Sequence, residues 1–76
     1  MLIKVTLRNG STNLKYEQRR RNLSSDELTW IDENRNAVSD NQLVEELNKV
    51  SRAGGHVTIG SVQYEVTEFG ECRSPA

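Results

Sequence analysis

SSDELTWIDENRNAV, residues 24–38, admits two readings, and the fold class turns on which one holds. At helical spacing, Ser24 is an N-cap and Glu27, three residues later, completes a capping box. Leu23 and Leu28 take the two staple positions around it. Leu28 and Ile31 then share a face, Trp30 stands to one side, and the Asn-rich DENRN ends the element. This reading predicts a short helix over residues 25–34. At strand spacing, TWI and NAV are instead two short strands joined by a turn in DENR. Trp30 fits either, and the capping signals favour the helix.

Downstream, AVSDNQLVEELNKVSRAGG repeats the helix signature more fully. Ser39 is the expected cap, Gln42 closes the box, and Val38 and Leu43 form the staple. Leu43, Leu47 and Val50 keep helical spacing, and Val44 widens the stripe. Asp40 at the start, with Lys49 and Arg52 near the end, suits the helix dipole. Gly54 or Gly55 is the expected left-handed stop, giving a helix over about 40–52.

Upstream, LIKVTL alternates, with Ile3, Val5 and Leu7 on one face and Lys4, Thr6 and Arg8 on the other. Period two with β-branching predicts a strand. Asn9-Gly10 is a hairpin signal, and STNLKYEQ offers a weaker second strand carrying Leu14 and Tyr16. At the other end, Val57 and Ile59 alternate, Gly60-Ser61 turns, and Val62, Tyr64 and Val66 alternate again. Glycine at the first turn position suits a type II′ hairpin.

These elements predict an α+β domain. A small, mostly antiparallel sheet, made from an N-terminal strand or hairpin and a C-terminal hairpin, is packed by one or two helices. Ile3, Val5, Leu7, Val57, Ile59, Tyr64, Val62 and Val66 supply its apolar face, with Leu43, Leu47 and Val50 pressing on it. Residues 1–70 form one compact domain, and the polar residues 71–76 form a flexible tail. A chain of 76 residues buries only about 60% of its unfolded surface, so the core is thin.

The lone Cys72 excludes an internal disulfide framework and agrees with a reducing compartment. MLIKVTLRNG has too short an apolar run for a signal peptide, and no stretch reaches membrane-span length. A cytoplasmic protein is expected. Charge divides along the chain. Residues 1–21 carry six basic residues and one acid, while residues 22–76 carry four basic residues and ten acids. Such asymmetry can steer a partner.

Catalytic and metal signatures are not expected. His56 and Cys72 are the only residues of their types, and a couple between them would need an orienting third group and a formed pocket. Zinc needs clustered ligands, and DENRN lacks the glycine and closing glutamate of a calcium loop. The doublets Asp26-Glu27, Asp32-Glu33 and Glu45-Glu46 do not face each other across a cleft. No glycine-rich phosphate cradle is present, so no cofactor is expected.

The unexplained feature is YEQRRRN, residues 16–22. A triple arginine repels itself and adds little to a core, though a solvated turn would also explain it. Arg19, Arg20 and Arg21, extended by Lys15, match a carboxylate-bearing surface, because each guanidinium binds carboxylate bidentately. Tyr16 or an exposed Trp30 would supply an apolar anchor, although the core is the favoured place for Trp30, the largest aromatic in a small domain. The expected function is a small non-enzymatic protein-binding or regulatory accessory module, of the kind found in phages and mobile elements. Its partner is another protein with an acidic surface, and the chain itself is a monomer or a weak homodimer. Nucleic acid is the alternative partner, with the arginines on phosphates and Tyr16 stacking. Against it, Asp40, Glu45 and Glu46 point outward on the helix a winged-helix reader would use, and Gly60-Ser61 carries no cation. The opening MLIKV, with its strand and turn, resembles the start of ubiquitin-like β-grasp proteins. The chain lacks their terminal diglycine, and no functional residue is carried over.

Overall fold

The computed structural model describes residues 2–22 and 27–72, with Cys72 described through its backbone alone. In chain order the elements are β1 (Leu2–Asn9), β2 (Thr12–Arg20), β3 (Leu28–Ile31), α1 (Asn41–Lys49), β4 (His56–Ile59) and β5 (Val62–Cys72). The five strands form one antiparallel sheet in the order β3-β2-β1-β5-β4, curled into a half-barrel. The protein is mostly β, with a single short helix among the described residues. This corrects the expected α+β sheet packed by one or two helices.

The correction comes from residues 24–38. Leu28–Ile31 is a strand, paired with β2 from Glu17↔Ile31 to Arg20↔Leu28. The chain then reverses through Asp32–Asn36 and comes back beside β3. Val38 N–H donates to Trp30 O at 2.8 Å, and Ile31 bridges Ala37. TWI is therefore a strand, as the second reading has it, while NAV returns beside it through a single isolated bridge at Ala37. Asp32 decides the turn: its Oδ1 accepts from the amides of Asn34 (2.9 Å) and Asn36 (3.0 Å). A local carboxylate acceptor offers the backbone an alternative to helical bonding. The capping-box residue Ser24 and the staple residue Leu23 lie outside the described residues.

Helix α1 is shorter than predicted at both ends. Asp40, not Ser39, is the N-cap, and its carboxylate accepts from the amides of Gln42 (3.0 Å) and Leu43 (3.3 Å). A charged acceptor beats a hydroxyl at the positive end of the helix dipole. The helix stops at Val50, whose backbone is already extended. Gly54 and Gly55 do not cap it. Gly54 N–H donates to Val66 O at 2.7 Å and Val66 N–H donates to Gly55 O at 2.8 Å, so the pair extends the sheet beyond β4.

Both hairpins turn on Gly-Ser. Asn9↔Thr12 and Ile59↔Val62 close two-residue loops at Gly10-Ser11 and Gly60-Ser61. Gly10 and Gly60 have φ of 58° and 64°, the sign that the first position of a type II′ turn demands. The first turn thus sits one residue later than Asn9-Gly10 suggested. Asn9 instead ties the two hairpins together, its Nδ2 donating to Gln63 O at 2.9 Å.

The concave side of the sheet holds the core: Val5, Leu7, Tyr16, Trp30, Val57 and Val66, covered by Leu47 of α1. Ile3, Leu14, Leu43, Val50, Ile59 and Tyr64 pack around it. A bulge in β5 lets one strand serve the core along its whole length. The register with β1 shifts between Thr6 and Leu7, so Leu7 faces Val66 while Val5 faces Phe69. An extra residue reverses strand parity, which brings Phe69 to the same face as Tyr64 and Val66. β5 runs on through Glu71 and Cys72, paired with Ile3 and Leu2, two residues into the segment expected to be a tail. The rest of that segment, residues 73–76, lies outside the described residues.

Candidate functional site

Strand alternation takes the triple arginine apart. Arg19 lies on the outer, convex face of β2, in phase with Lys15 and Glu17. Arg20 takes the opposite phase, opposite Leu28 at the end of the ladder. Arg21 has left the strand. Its backbone N–H donates to Glu27 O at 2.9 Å, and its guanidinium meets the Glu27 carboxylate at 3.4 Å. Both side chains of that pair are about 70% exposed, so it contributes no more than about 1 kcal/mol. It nevertheless occupies Arg21 locally.

The two aromatic rings point the other way. Tyr16 is 9% and Trp30 4% exposed, both in the core. The indole N–H of Trp30 donates to Asn48 Oδ1 at 2.8 Å, and a groove of about 410 Å³ exposes only part of the residue beside Arg21, Val38 and Val44. The core reading of Trp30 is the one the fold adopts. Burial holds the Tyr16 hydroxyl above its usual pKa, reinforced by the negative charge of Asp32, then Tyr64 and Glu33.

The outer face gathers a different set of cations. The β1–β2 register places Lys4 opposite Glu17, Thr6 opposite Lys15 and Arg8 opposite Asn13. Lys4, Arg8, Lys15 and Arg19 are all exposed around one acid, Glu17. The 32–36 turn adds Arg35, which shares with Lys15, Glu17, Arg19, Ile31, Asp32 and Glu33 a shallow depression of about 320 Å³. Among the described residues, Lys4, Lys15, Arg19 and Arg35 have no ion-pair partner within 4 Å. Arg8 turns its Nε to Gly10 O at 2.9 Å. On the neighbouring β5, Glu65 faces Arg8 and Glu68 faces Thr6, so the outer face passes from basic to acidic across the sheet.

Two of these residues, Lys15 and Arg19, belong to the set expected from sequence. Lys4, Arg8, Arg35 and the half-buried Ile31 were not in it. The register could have supplied the first two: fixing the turn at Gly10-Ser11 sets Lys4 and Lys15 on adjacent strands and one face. Arg35 depended on the 24–38 stretch being a hairpin. Arg35 is also the one non-glycine residue with positive φ among those described, at 64°.

No group of three or more His, Cys, Asp or Glu is placed to hold a metal ion among the described residues. No helix among them is long and apolar enough to cross a membrane. No protein family, curated protein or solved structure matches this chain.

Proposed function

We propose that this chain is a non-enzymatic, protein-binding accessory module of the cytoplasm whose outer β1–β2 face receives an acidic surface of another protein. One observation carries the reading. Lys4, Lys15, Arg19 and Arg35 are exposed on regular strands or a tight turn, have no ion-pair partner among the described residues, and surround Glu17, with Asp32 and Glu33 beside Arg35. Backbone pairing fixes where these residues stand, so binding has only their side chains left to order, at about 0.5–1.5 kcal/mol each. The guanidinium groups of Arg19 and Arg35 offer bidentate donors to carboxylates, and Ile31 supplies an apolar floor between them.

The same face suits a phosphate backbone poorly. Glu17 sits within it, and Glu65 and Glu68 border it. Tyr16 and Trp30, the rings that would stack bases, are on the opposite side of the sheet. A protein surface can match such a mixed field patch to patch, whereas a polyanion cannot.

The test is affinity capture from lysate, with and without nuclease, using wild type and a Lys15→Glu/Arg19→Glu variant. Capture of a defined acidic protein that survives nuclease and is lost in the variant supports the reading. Capture abolished by nuclease, with binding to pure DNA or RNA that weakens linearly in log salt, sinks it.

A further inference from the structure

The outer face of the β1–β2 hairpin carries its cations in a fixed order. The register pairs Lys4 with Glu17, Thr6 with Lys15 and Arg8 with Asn13, and Arg19 stands one outward step beyond Glu17 on β2. Outward-facing residues two apart on a strand are separated by about 6.8 Å along it. The face is thus ruled into four rows, and each row holds one cation: Arg19, then Lys4, then Lys15, then Arg8. They come from β2, β1, β2 and β1 in turn. With strands about 4.8 Å apart, their backbone positions zigzag along the hairpin seam, about 8 Å from one to the next and about 20 Å from end to end.

All four side chains are exposed. Lys4, Lys15 and Arg19 have no ion-pair partner among the described residues. Arg8 gives Nε to Gly10 O at 2.9 Å, a bond that uses one of its five donors. The one acid in the rows, Glu17, stands opposite Lys4. Because the face is convex, a helix about 10–12 Å across would touch it over only a short length. An extended chain is thinner and shares the right-handed twist of the strands beneath it. It also presents every second side chain to one side, at the same pitch of about 6.8 Å.

We propose that the acidic surface received here is an extended segment of the partner with a carboxylate at every second residue, laid along the β1–β2 seam so that one carboxylate meets the cation of each row. The proposal rests on the acidic-partner reading above and narrows it. The carboxylates lean alternately towards β2 and β1. In the second row that lean carries the carboxylate to Lys4 and away from Glu17. The intervening side chains point away from the sheet, so their identity is left open. A run of acids also repels itself into an extended form before it binds. Single-stranded nucleic acid shares the linear charge and fits less well. Glu17 lies in the seam, and Tyr16, Trp30, Tyr64 and Phe69 all pack with the core, leaving none of these rings on this face to stack bases.

Titration of the nitrogen-15-labelled full chain at low salt, with two synthetic peptides of equal composition, tests it. One peptide alternates Glu and Thr along its length, and the other carries the same residues as a Glu block followed by a Thr block. Amide shifts should map to Lys4, Arg8, Lys15 and Arg19 and spare β4. In a block only every second acid faces the sheet, so half the contacts are lost, and the alternating peptide should bind about tenfold tighter. Lys4→Gln and Arg8→Gln, both at exposed positions, should each weaken the alternating peptide about threefold, the scale of one exposed ion pair. Arg20→Gln, on the opposite phase of β2, should leave it unchanged. Wild-type amide dispersion in each variant shows that the fold is kept. Equal affinity for the two peptides, an alternating peptide that does not bind, or one indifferent to Lys4→Gln and Arg8→Gln would each overturn the extended segment. Lysate capture of an acidic protein through Lys15 and Arg19 would survive any of these results, so the two readings fail separately. A single-stranded oligonucleotide of matched charge that binds this face tighter than the alternating peptide would overturn both.

Discussion

The indole N–H of Trp30 and the side-chain oxygen of Asn48 meet at 2.8 Å, joining an edge strand to the helix that roofs the core. Trp30 is 4% exposed, but Asn48 is exposed and lines the same groove, so water can take up part of the hydrogen bond that this acceptor makes. An unsatisfied buried donor costs about 1–3 kcal/mol. Alanine recovers part of that through better helix propensity, about half a kcal/mol. Asn48→Ala should therefore lower stability by up to about 1 kcal/mol, read as the urea midpoint followed by far-ultraviolet circular dichroism. In a Trp30→Phe background the same substitution should cost nothing. Equal costs in both backgrounds would show that Asn48 acts on the helix alone.

That contact shows where sequence reading stopped. The apolar alternation of residues 2–7 and 57–66 and the helical stripe at Leu43, Leu47 and Val50 identify most of the core. Trp30 was expected in the core but on a helix, because the 24–38 stretch satisfies helix-start signals and strand signals alike. The deciding interactions are a side-chain turn at Asp32 and pairing with β2, and the second of these is non-local. Phe69 was hidden for a related reason. It falls out of phase with Tyr64 and Val66 unless a bulge is inserted, and the bulge is set by pairing with β1 across more than sixty positions. For the candidate site, the arginine run was visible but its division was not. Only strand phase sends Arg19 and Arg20 to opposite faces.

Arg35 occupies a conformation that favours glycine. Its φ is 64°, and L-residues pay about 1–2 kcal/mol in the left-handed region. Glycine loses more chain entropy on folding, which returns roughly half of that. Arg35→Gly should thus stabilise the fold by about 0.5–1 kcal/mol, while Arg35→Val should destabilise it. Denaturant midpoints measure both. If the proposed binding face is right, Arg35→Gly should weaken partner capture even as it raises the midpoint. A gain in stability with capture intact would remove Arg35 from the site and leave it a tolerated strain.

Tyr16 gives the fold an alkaline limit. Its pKa is raised by burial first, then by Asp32, Tyr64 and Glu33, so the folded chain keeps the phenolic proton where the unfolded chain has begun to lose it. The unfolded state then binds fewer protons, and stability falls as pH increases. The contribution is complete below the unfolded value, about pH 10, and is lost as pH climbs through the folded one. Tyr16→Phe has no proton to lose. The difference in unfolding free energy between wild type and Tyr16→Phe should be flat from neutrality to about pH 10 and then move in favour of phenylalanine. A difference that stays flat beyond that point would mean the hydroxyl is better solvated than its surroundings imply.

The three arginines of residues 19–21 should behave as three unrelated residues. Arg19 shares the outer face with Lys4, Lys15 and Arg35 and has no ion-pair partner among the described residues. Arg20 lies on the opposite phase of the strand, and Arg21 is taken up by Glu27. Under the proposed binding function, Arg19→Ala should weaken capture of the partner about tenfold, the scale of one lost charge-assisted contact. Arg20→Ala should leave capture unchanged. Arg21→Ala should cost at most about 1 kcal/mol of stability, since its ion pair is exposed, with capture also unchanged. Single-alanine titrations against the captured partner, at two salt concentrations, separate these outcomes. The Arg19 effect should shrink at high salt, because exposed charges are screened within about 10 Å at 0.1 M. Equal losses at all three positions would point to a partner that reads the run as an extended, unpaired segment, which the β2–β3 ladder does not present.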